Sequence, residues 1–316
     1  MKKILITGGA GFVGSNLADA LLNDGCEVTI LDNLSRRGTQ LNLAWLDERH
    51  PKGLNFVRGD IQDDKLLPGL VKGCNEIFHL AAQVAVTTSV KDPIGDFETN
   101  AFGTLNLLEA VRNSGESIPI LATSTNKVYG ELEGVNCDVG DSRYSMVERP
   151  DGIGEDQPLD FHSPYGCSKG AADQYIRDYA RIYDLPTIVF RMSCIYGPRQ
   201  FGNEDQGWVA HFVISSVLER PIVIYGDGKQ VRDILYVDDL IQAFKLAMAN
   251  IDVTRGQVYN IGGGSGSSMS VWHEFGPILR ELLGHPMPVS YGDWRPGDQK
   301  VYISNIWKAN RDFHWR

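Results

Sequence analysis

No run in this sequence approaches the ~18 consecutive apolar residues that a membrane-spanning helix needs, which argues against a function built on crossing a bilayer. A secretory leader is not read either, because Met1-Lys2-Lys3 is followed only by Ile4-Leu5-Ile6 before Thr7-Gly8-Gly9. Cysteine is scarce: Cys26, Cys74, Cys137, Cys167 and Cys194 are odd in number and far apart. They read as reduced thiols of a cytoplasmic protein, and no His/Cys/carboxylate spacing marks a metal site. Basic residues are outnumbered, 30 Lys and Arg against 40 Asp and Glu, for a formal net charge of −10. Such a chain lacks the electrostatic footprint of a protein that binds nucleic acid or an anionic membrane. Repeats and low-complexity tracts are missing too; the nearest is the short loop Gly262 to Ser268.

What is present is ordinary for a folded protein, with 42% hydrophobic and 22% charged residues, except for an excess of glycine, 34 in 316. The length favours one large and one small domain. Six aliphatic runs read as strands: Ile4–Thr7, Val28–Leu31, Leu54–Val57, Glu76–Leu80, Ile118–Thr123 and Thr187–Arg191. Helix-length segments lie between them, among them Gly11–Asp24, Phe97–Asn113 and Pro164–Tyr183. This alternation predicts a doubly wound parallel sheet of the α/β (Rossmann) class. Beyond Arg191 the loops lengthen and prolines appear, which predicts a smaller α/β substrate-binding domain over the strand ends. The expected division is 1–192 for the dinucleotide-binding domain and 193–316 for the smaller one, with about 231–250 (the amphipathic run Val237–Ala249) returning to the first. Because the chain stops at Phe313-His314-Trp315-Arg316 with no evident last helix, a natural continuation beyond Arg316 is also expected.

Gly8, Gly11, Phe12, Val13 and Gly14 stand between the first strand and the first helix. Glycines there permit a tight turn, close backbone approach to a pyrophosphate and close helix–strand packing, while the helix N-terminus offers free N–H groups. A glycine triplet alone is weak evidence; its position at the first strand–helix junction is what makes it a dinucleotide site. The second strand ends at Asp32, whose carboxylate suits ribose hydroxyls and repels a 2′-phosphate, so NAD is favoured over NADP. Asn33, Ser35 and Arg36 continue that edge of the site, and Arg36 and Arg37 weigh slightly toward the extra phosphate. Farther on, Tyr165 and Lys169 stand one helical turn apart just after the start signal Ser163-Pro164. A nearby ammonium and a cationic nicotinamide both favour phenolate, so Tyr165 is expected to be shifted toward service as a base.

The spacing of three between glycines, with the Tyr-x-x-x-Lys pair, resembles the extended branch of the short-chain dehydrogenase/reductase superfamily over essentially the whole chain. The resemblance implies that Asp60 and Ile61 lie at the adenine, that His79-Leu80-Ala81-Ala82-Gln83 ends the fourth strand beneath the cofactor, and that Asn100 braces the nicotinamide end. By itself His79 reads as a satisfied strand histidine. The resemblance also places Thr125 in the catalytic hydroxyl position, with Ser124 beside it as a cofactor or substrate contact. Sugar-nucleotide dehydratases of this superfamily carry Asp-Glu directly after that threonine; Asn126 and Lys127 stand here instead, which disfavours dehydration.

Five stretches are similar, more narrowly, to nucleotide-sugar 2-epimerases of that superfamily acting on CDP-linked hexoses: Ser124–Gly130, Leu159–Tyr175, Arg199–Phe201, Asp205–Val209 and Gly228–Asp233. What this implies is oxidation at carbon 2, a 2-keto intermediate, and hydride return from NAD to the opposite face. The expected substrate contacts are Arg232 and Arg295 for the diphosphate, Tyr225 within Ile222–Gly228 for the base, and Gln206, Trp208 and Lys229. Gly226, Gly228 and Gly297 are placed in the same substrate loops. Two other readings stay open: a UDP-sugar 4-epimerase and a dinucleotide-binding redox sensor without chemistry. A homo-oligomer, dimer or tetramer, is expected through the helices containing Phe97–Asn113 and Pro164–Tyr183.

Overall fold

The computed structural model describes residues 1–295 and 298–316. Short aliphatic runs, buried on both faces except in the edge strand Leu54–Arg58, form seven parallel strands: Lys3–Thr7, Glu27–Asp32, Leu54–Arg58, Glu76–His79, Ile120–Thr125, Thr187–Met192 and Val258–Ile261. Numbered along the chain, they lie in the order 3-2-1-4-5-6-7 across the sheet. The order reverses between the first and fourth strands, and the crevice at such a reversal is where open α/β sheets bind ligands.

Each face of the sheet carries its own apolar layer. On one, helices Phe12–Asn23, Val237–Ala249 and Trp307–Phe313 pack Leu17, Phe244 and Phe313 against the strands. Phe190 stacks on both Phe244 and Phe313, with ring centroids 5.5 and 6.1 Å away. Burying each such ring contributes about 1.5–3 kcal/mol. Leu107, Val111, Ile176 and Tyr179 cover the other face, from helices Gly103–Ser114 and Pro164–Tyr183.

The helix Pro164–Tyr183 begins where its sequence signals place it. Pro164 fills the first turn, where no N–H is needed, and the Ser163 hydroxyl accepts from the Gly166 N–H at 3.0 Å. The segment expected to be one helix over Phe97–Asn113 is divided. A π-turn spans Glu98–Phe102 before the α-helix Gly103–Ser114. Such turns occur frequently at functional sites, and this one contains Asn100. The seventh strand was not anticipated, and neither was the last helix. That helix brings Trp315 into the core, where its indole N–H donates to the Asp239 carbonyl at 3.0 Å.

Strand Val231–Tyr236 runs parallel to Cys194–Tyr196 and Val301–Tyr302 and antiparallel to Ser268–Ser270. Ile222–Tyr225 pairs in parallel with Val289–Gly292. Helices Trp208–Val217 and Phe275–Leu283 cover this group through Val209, Phe212, Phe275 and Leu279. A hairpin, Cys137–Val139 with Tyr144–Met146, reaches over the Asp227–Lys229 loop, and the Tyr144 N–H donates to the Lys229 carbonyl at 3.1 Å. Among the described residues no helix is long and apolar enough to cross a membrane.

Candidate active site

A cleft of about 520 Å³ opens at the C-terminal ends of the central strands. Its floor is the glycine loop. Gly8 has φ +70°, and a methyl group there would meet the Ala81 backbone nitrogen at 2.6 Å; at Gly14 it would sit 2.4 Å from the Gly8 carbonyl oxygen. Gly8 and Gly14 therefore hold strand, loop and helix together, whereas Gly11 precedes the first helical residue and has its nearest neighbour, the Gly8 carbonyl oxygen, at 3.1 Å. The N–H groups of that first turn border the cleft.

Asp32, the last residue of its strand, accepts from the Ala10 N–H at 3.0 Å and the Leu34 N–H at 2.8 Å. Burial raises its carboxyl pKa, and those two backbone bonds offset part of the rise. Asn33 donates to Asp60 at 2.7 Å, joining the loops after the second and third strands. Phe12, Val13, Ser35, Ile61, Leu80, Ala81, Ala82 and Gln83 line the same cleft. Its roof comes from far along the chain. Arg36 donates to Gln206 at 2.6 Å, Asn42 to the Arg199 carbonyl at 3.3 Å, and Asn16 to the Pro198 carbonyl at 3.0 Å. The Phe201 ring lies against Gly38, where even a methyl group would collide with it.

Tyr165 and Lys169 enter the cleft from the first turns of their helix. The Lys169 ammonium donates to the Thr123 carbonyl at 2.6 Å. Burial lowers its pKa to about 8, against the opposing charges of Asp173 and Asp96. Burial also pushes the Tyr165 phenol up to about 12; a hydrogen bond with Thr125 pulls it down, Asp96 pushes it further up, and Arg36 lowers it. Among the protein's own groups desolvation is the largest effect on the phenol; the expected lowering drew on the Lys169 ammonium together with a cationic nicotinamide. Thr125 ends its strand, and its hydroxyl oxygen accepts from the Lys127 N–H at 3.2 Å. Ser124 lines the cleft with a buried hydroxyl that has no partner among the described residues.

Asn100 does not line the cleft. It is buried behind it, where its amide accepts from the Gln83 N–H at 2.9 Å and donates to the Gln83 carbonyl at 3.1 Å. It thus shapes the loop that borders the cleft instead of touching a ligand there. His79 is a satisfied core histidine, bonded to Thr7 at 2.7 Å and Thr104 at 2.9 Å, and burial lowers its pKa to about 3. A buried pair absent from the sequence reading supports the helix from behind. Arg191 grips Asp173 through Nε at 2.7 Å and Nη2 at 2.9 Å and donates to the Tyr129 hydroxyl at 3.0 Å. Asp96 was missed as well, since nothing in its local pattern distinguishes it from a surface carboxylate.

The expected substrate residues separate into two groups. Arg232 pairs with Asp298 at 2.6 Å, and Lys127 approaches the same carboxylate at 3.7 Å. Arg295 lies over the Tyr225 ring, 3.9 Å from its centroid, and donates to the Glu204 carbonyl at 3.0 Å. Gln206 belongs with the cofactor cleft, through Arg36. Trp208 does not join either group: its ring packs edge-on against Phe275 and Phe212, at 5.1 and 5.8 Å, inside an apolar cluster. Lys229 turns away to the hairpin and donates to the Gly140 carbonyl at 3.0 Å. Gly226 and Gly228 adopt positive φ beside Trp294 and Trp272, and Gly297 lies outside the described residues.

The residues present fit NAD: a cradle that a Cβ would fill, a helix N-terminus, a strand-end carboxylate and the unpartnered Ser124 hydroxyl facing one cleft. Residues 4–262 match the NAD dependent epimerase/dehydratase family. A CDP-paratose 2-epimerase of Salmonella typhi is 45% identical over 320 residues, covering 99% of this chain and 94% of that protein. A UDP-glucuronic acid 4-epimerase from Bacillus cereus, solved with UDP-glucuronic acid and NAD, superposes with a TM-score of 0.85 at 29% identity, covering 99% of this chain and 93% of that one. The dTDP-glucose 4,6-dehydratase DesIV from Streptomyces venezuelae, solved with NAD and TYD, gives 0.84 at 32% identity, covering 99% and 91%.

Proposed function

The chain belongs to the NAD dependent epimerase/dehydratase family, and we propose that it inverts carbon 2 of a CDP-linked 6-deoxyhexose, converting CDP-paratose to CDP-tyvelose. The observation that carries this reading is the 45% identity to the CDP-paratose 2-epimerase over 99% of the chain. The residues after Thr125 agree with it. Asn126 is buried and within 3.3 Å of the Thr125 hydroxyl, and Lys127 faces Asp298, so neither position supplies a carboxyl group for eliminating water.

NAD would be held by the glycine loop, Asp32, the Asn33–Arg36 segment, Asp60 and Ile61, the Leu80–Gln83 segment, Ser124, Tyr165 and Lys169. When bound, it would supply a hydride acceptor that returns the hydride to the opposite face of the same carbon. The protein's own groups manage the proton. Tyr165 takes the proton of the 2-hydroxyl as the C–H bond breaks, which leaves a 2-keto sugar, and it gives the proton back to that oxygen on reduction. Thr125 hydrogen-bonds the reacting oxygen, and the Lys169 ammonium stabilises the phenolate. Arg232 and Arg295 take the diphosphate, exchanging their present acceptors for phosphate oxygens, and Tyr225 takes the base.

In this reading residues 1–192, joined by the helix Val237–Ala249, the strand Val258–Ile261 and the helix Trp307–Phe313, hold the cofactor beneath a roof from 198–206. The rest of 193–316 holds the nucleotide sugar, so the division expected from the sequence is corrected at the late strand and the last helix. The chain is a homo-oligomer whose contact includes the exposed Phe97, Phe102, Ile182 and Tyr183 of the helical segments named above. Incubation with CDP-paratose in deuterated water, followed by NMR, tests the chemistry. CDP-tyvelose without deuterium at carbon 2 is the expected product, and solvent deuterium there rejects hydride return. Conversion of UDP-glucose to UDP-galactose, with CDP-paratose untouched, would assign carbon 4 in its place.

A further inference from the structure

Asp96 sits in the short helix Pro93–Phe97 and is 1% exposed. Among the described residues no ion pair includes it. Its carboxylate accepts from three neutral side chains instead: the Gln83 amide at 2.7 Å, the Asn100 amide at 3.2 Å and the Ser168 hydroxyl. A carboxylate buried without a contacting cation is costly, and a fold that needed only packing here would be better served by an apolar side chain. Its three partners all belong to the candidate site. Gln83 lines the cleft, Asn100 holds the Gln83 backbone, and Ser168 lies between Tyr165 and Lys169 on their helix.

We propose that Asp96 is a positioning residue for the Tyr165–Lys169 pair, clamping their helix to the Gln83 loop through Ser168 while keeping a negative charge behind the pair. The inference rests on the reading of Tyr165 as the proton carrier, not on which carbon is inverted. The charge has a definite sign of effect, since it favours the protonated form of both the phenol and the ammonium. The other groups bearing on the pair are Arg36, which opposes Asp96 at Tyr165; Thr125, neutral and hydrogen-bonded to it; Asp173, which supports the Lys169 charge; and His79, neutral below Lys169. None of these replaces Asp96 as the negative charge acting on Tyr165.

The test is Asp96→Asn in the NAD-loaded enzyme, with Tyr165 titrated by ultraviolet difference against Tyr165→Phe and with the pH profile of kcat/KM. Asparagine keeps the shape and loses the charge, so the Tyr165 titration and the rising limb of the profile should both move to lower pH, by about 1 unit. Ser168→Ala keeps the charge and loses the clamp. It should lower kcat at least about 10-fold by loosening the reacting geometry, without moving the limb to lower pH. A Tyr165 titration unchanged in Asp96→Asn overturns the electrostatic role. Wild-type kcat in Ser168→Ala overturns the clamp, and this arm remains available if Asp96→Asn does not fold. A shifted phenol titration in a protein that leaves carbon 2 of CDP-paratose untouched would support Asp96 and reject the substrate reading, so the two fail separately.

Discussion

The Asp173–Arg191 pair is the sharpest place to perturb the scaffold behind the catalytic helix. Both side chains are essentially excluded from water, at 0% and 2% exposure, and they meet through two hydrogen bonds. Removing one member leaves the other as an uncompensated buried charge, which costs about 3–5 kcal/mol. Arg191→Met strands the Asp173 carboxylate, and Asp173→Leu strands the guanidinium, which keeps the Tyr129 hydroxyl as a polar acceptor. Each single variant should therefore lower Tm by about 6–10 °C, at roughly 2 °C per kcal/mol for a chain of this size. The double variant Asp173→Leu/Arg191→Met removes both charges together. Buried ion pairs replaced by apolar groups of similar volume are often neutral, so it should recover to within about 2 kcal/mol of wild type. Tyr129 keeps its bond to the Asn260 side chain at 2.7 Å, so no second orphan is created. Urea unfolding of wild type, Arg191→Met, Asp173→Leu and the double variant closes the cycle, and the costs above imply a coupling of at least about 4 kcal/mol. Single variants each costing less than about 1 kcal/mol, or a double variant as unstable as the two costs summed, would refute the argument. Asp173→Leu has a second, independent signature: the charge lost is the larger support for the Lys169 ammonium, so the Lys169 pKa should fall further.

Tyr165→Phe should retain NAD and lose at least ~100-fold in kcat, the lower end of general acid–base contributions, as measured by product NMR. Gly14→Ala should lose both stability and bound NAD, because the added methyl meets the Gly8 carbonyl at 2.4 Å; a thermal melt and the absorbance of released cofactor check it. His79 binds a proton in the unfolded chain near its ordinary value of 6.5 but in the folded protein only near 3. Between those limits the unfolded state holds more protons, so stability contributed by the neutral imidazole is lost as pH falls, by about 1.4 kcal/mol per unit. Urea unfolding between pH 6.5 and 5 should show that slope, and His79→Gln should flatten it.

Local signals carried much of the fold. Ser163-Pro164 announced the helix that bears Tyr165 and Lys169, and the glycine loop was legible because Gly8 and Gly14 have steric reasons that match their spacing. The strand Val258–Ile261 was not, since four residues, one of them the polar Asn260, are too few to show a period of their own and their place is set by pairing with Thr187–Met192. Trp208 and Lys229 look the same in sequence whether they face a ligand or a neighbour; Phe275 and the Gly140 carbonyl decided them. The Tyr165 phenol shows the same limit in electrostatic form. A lysine four residues away is visible in the sequence, whereas the burial that outweighs it is a property of the assembled fold. Asp96 is the extreme case, because its partners come from three separate segments and only their meeting makes it more than a carboxylate in a short helix.

The floor of the cofactor cleft comes from the first residues of the chain, and its roof from 198–206, fastened by Arg36, Asn42 and Asn16. Parting of those fastenings would widen the exit for a cofactor lying between them, which couples its escape to an opening of the protein. An enzyme that gives back every hydride it takes has no need of that opening during turnover. Its catalysis would then be insulated from the cell's ratio of oxidised to reduced nucleotide, and the bound cofactor would behave as a permanent part of the protein.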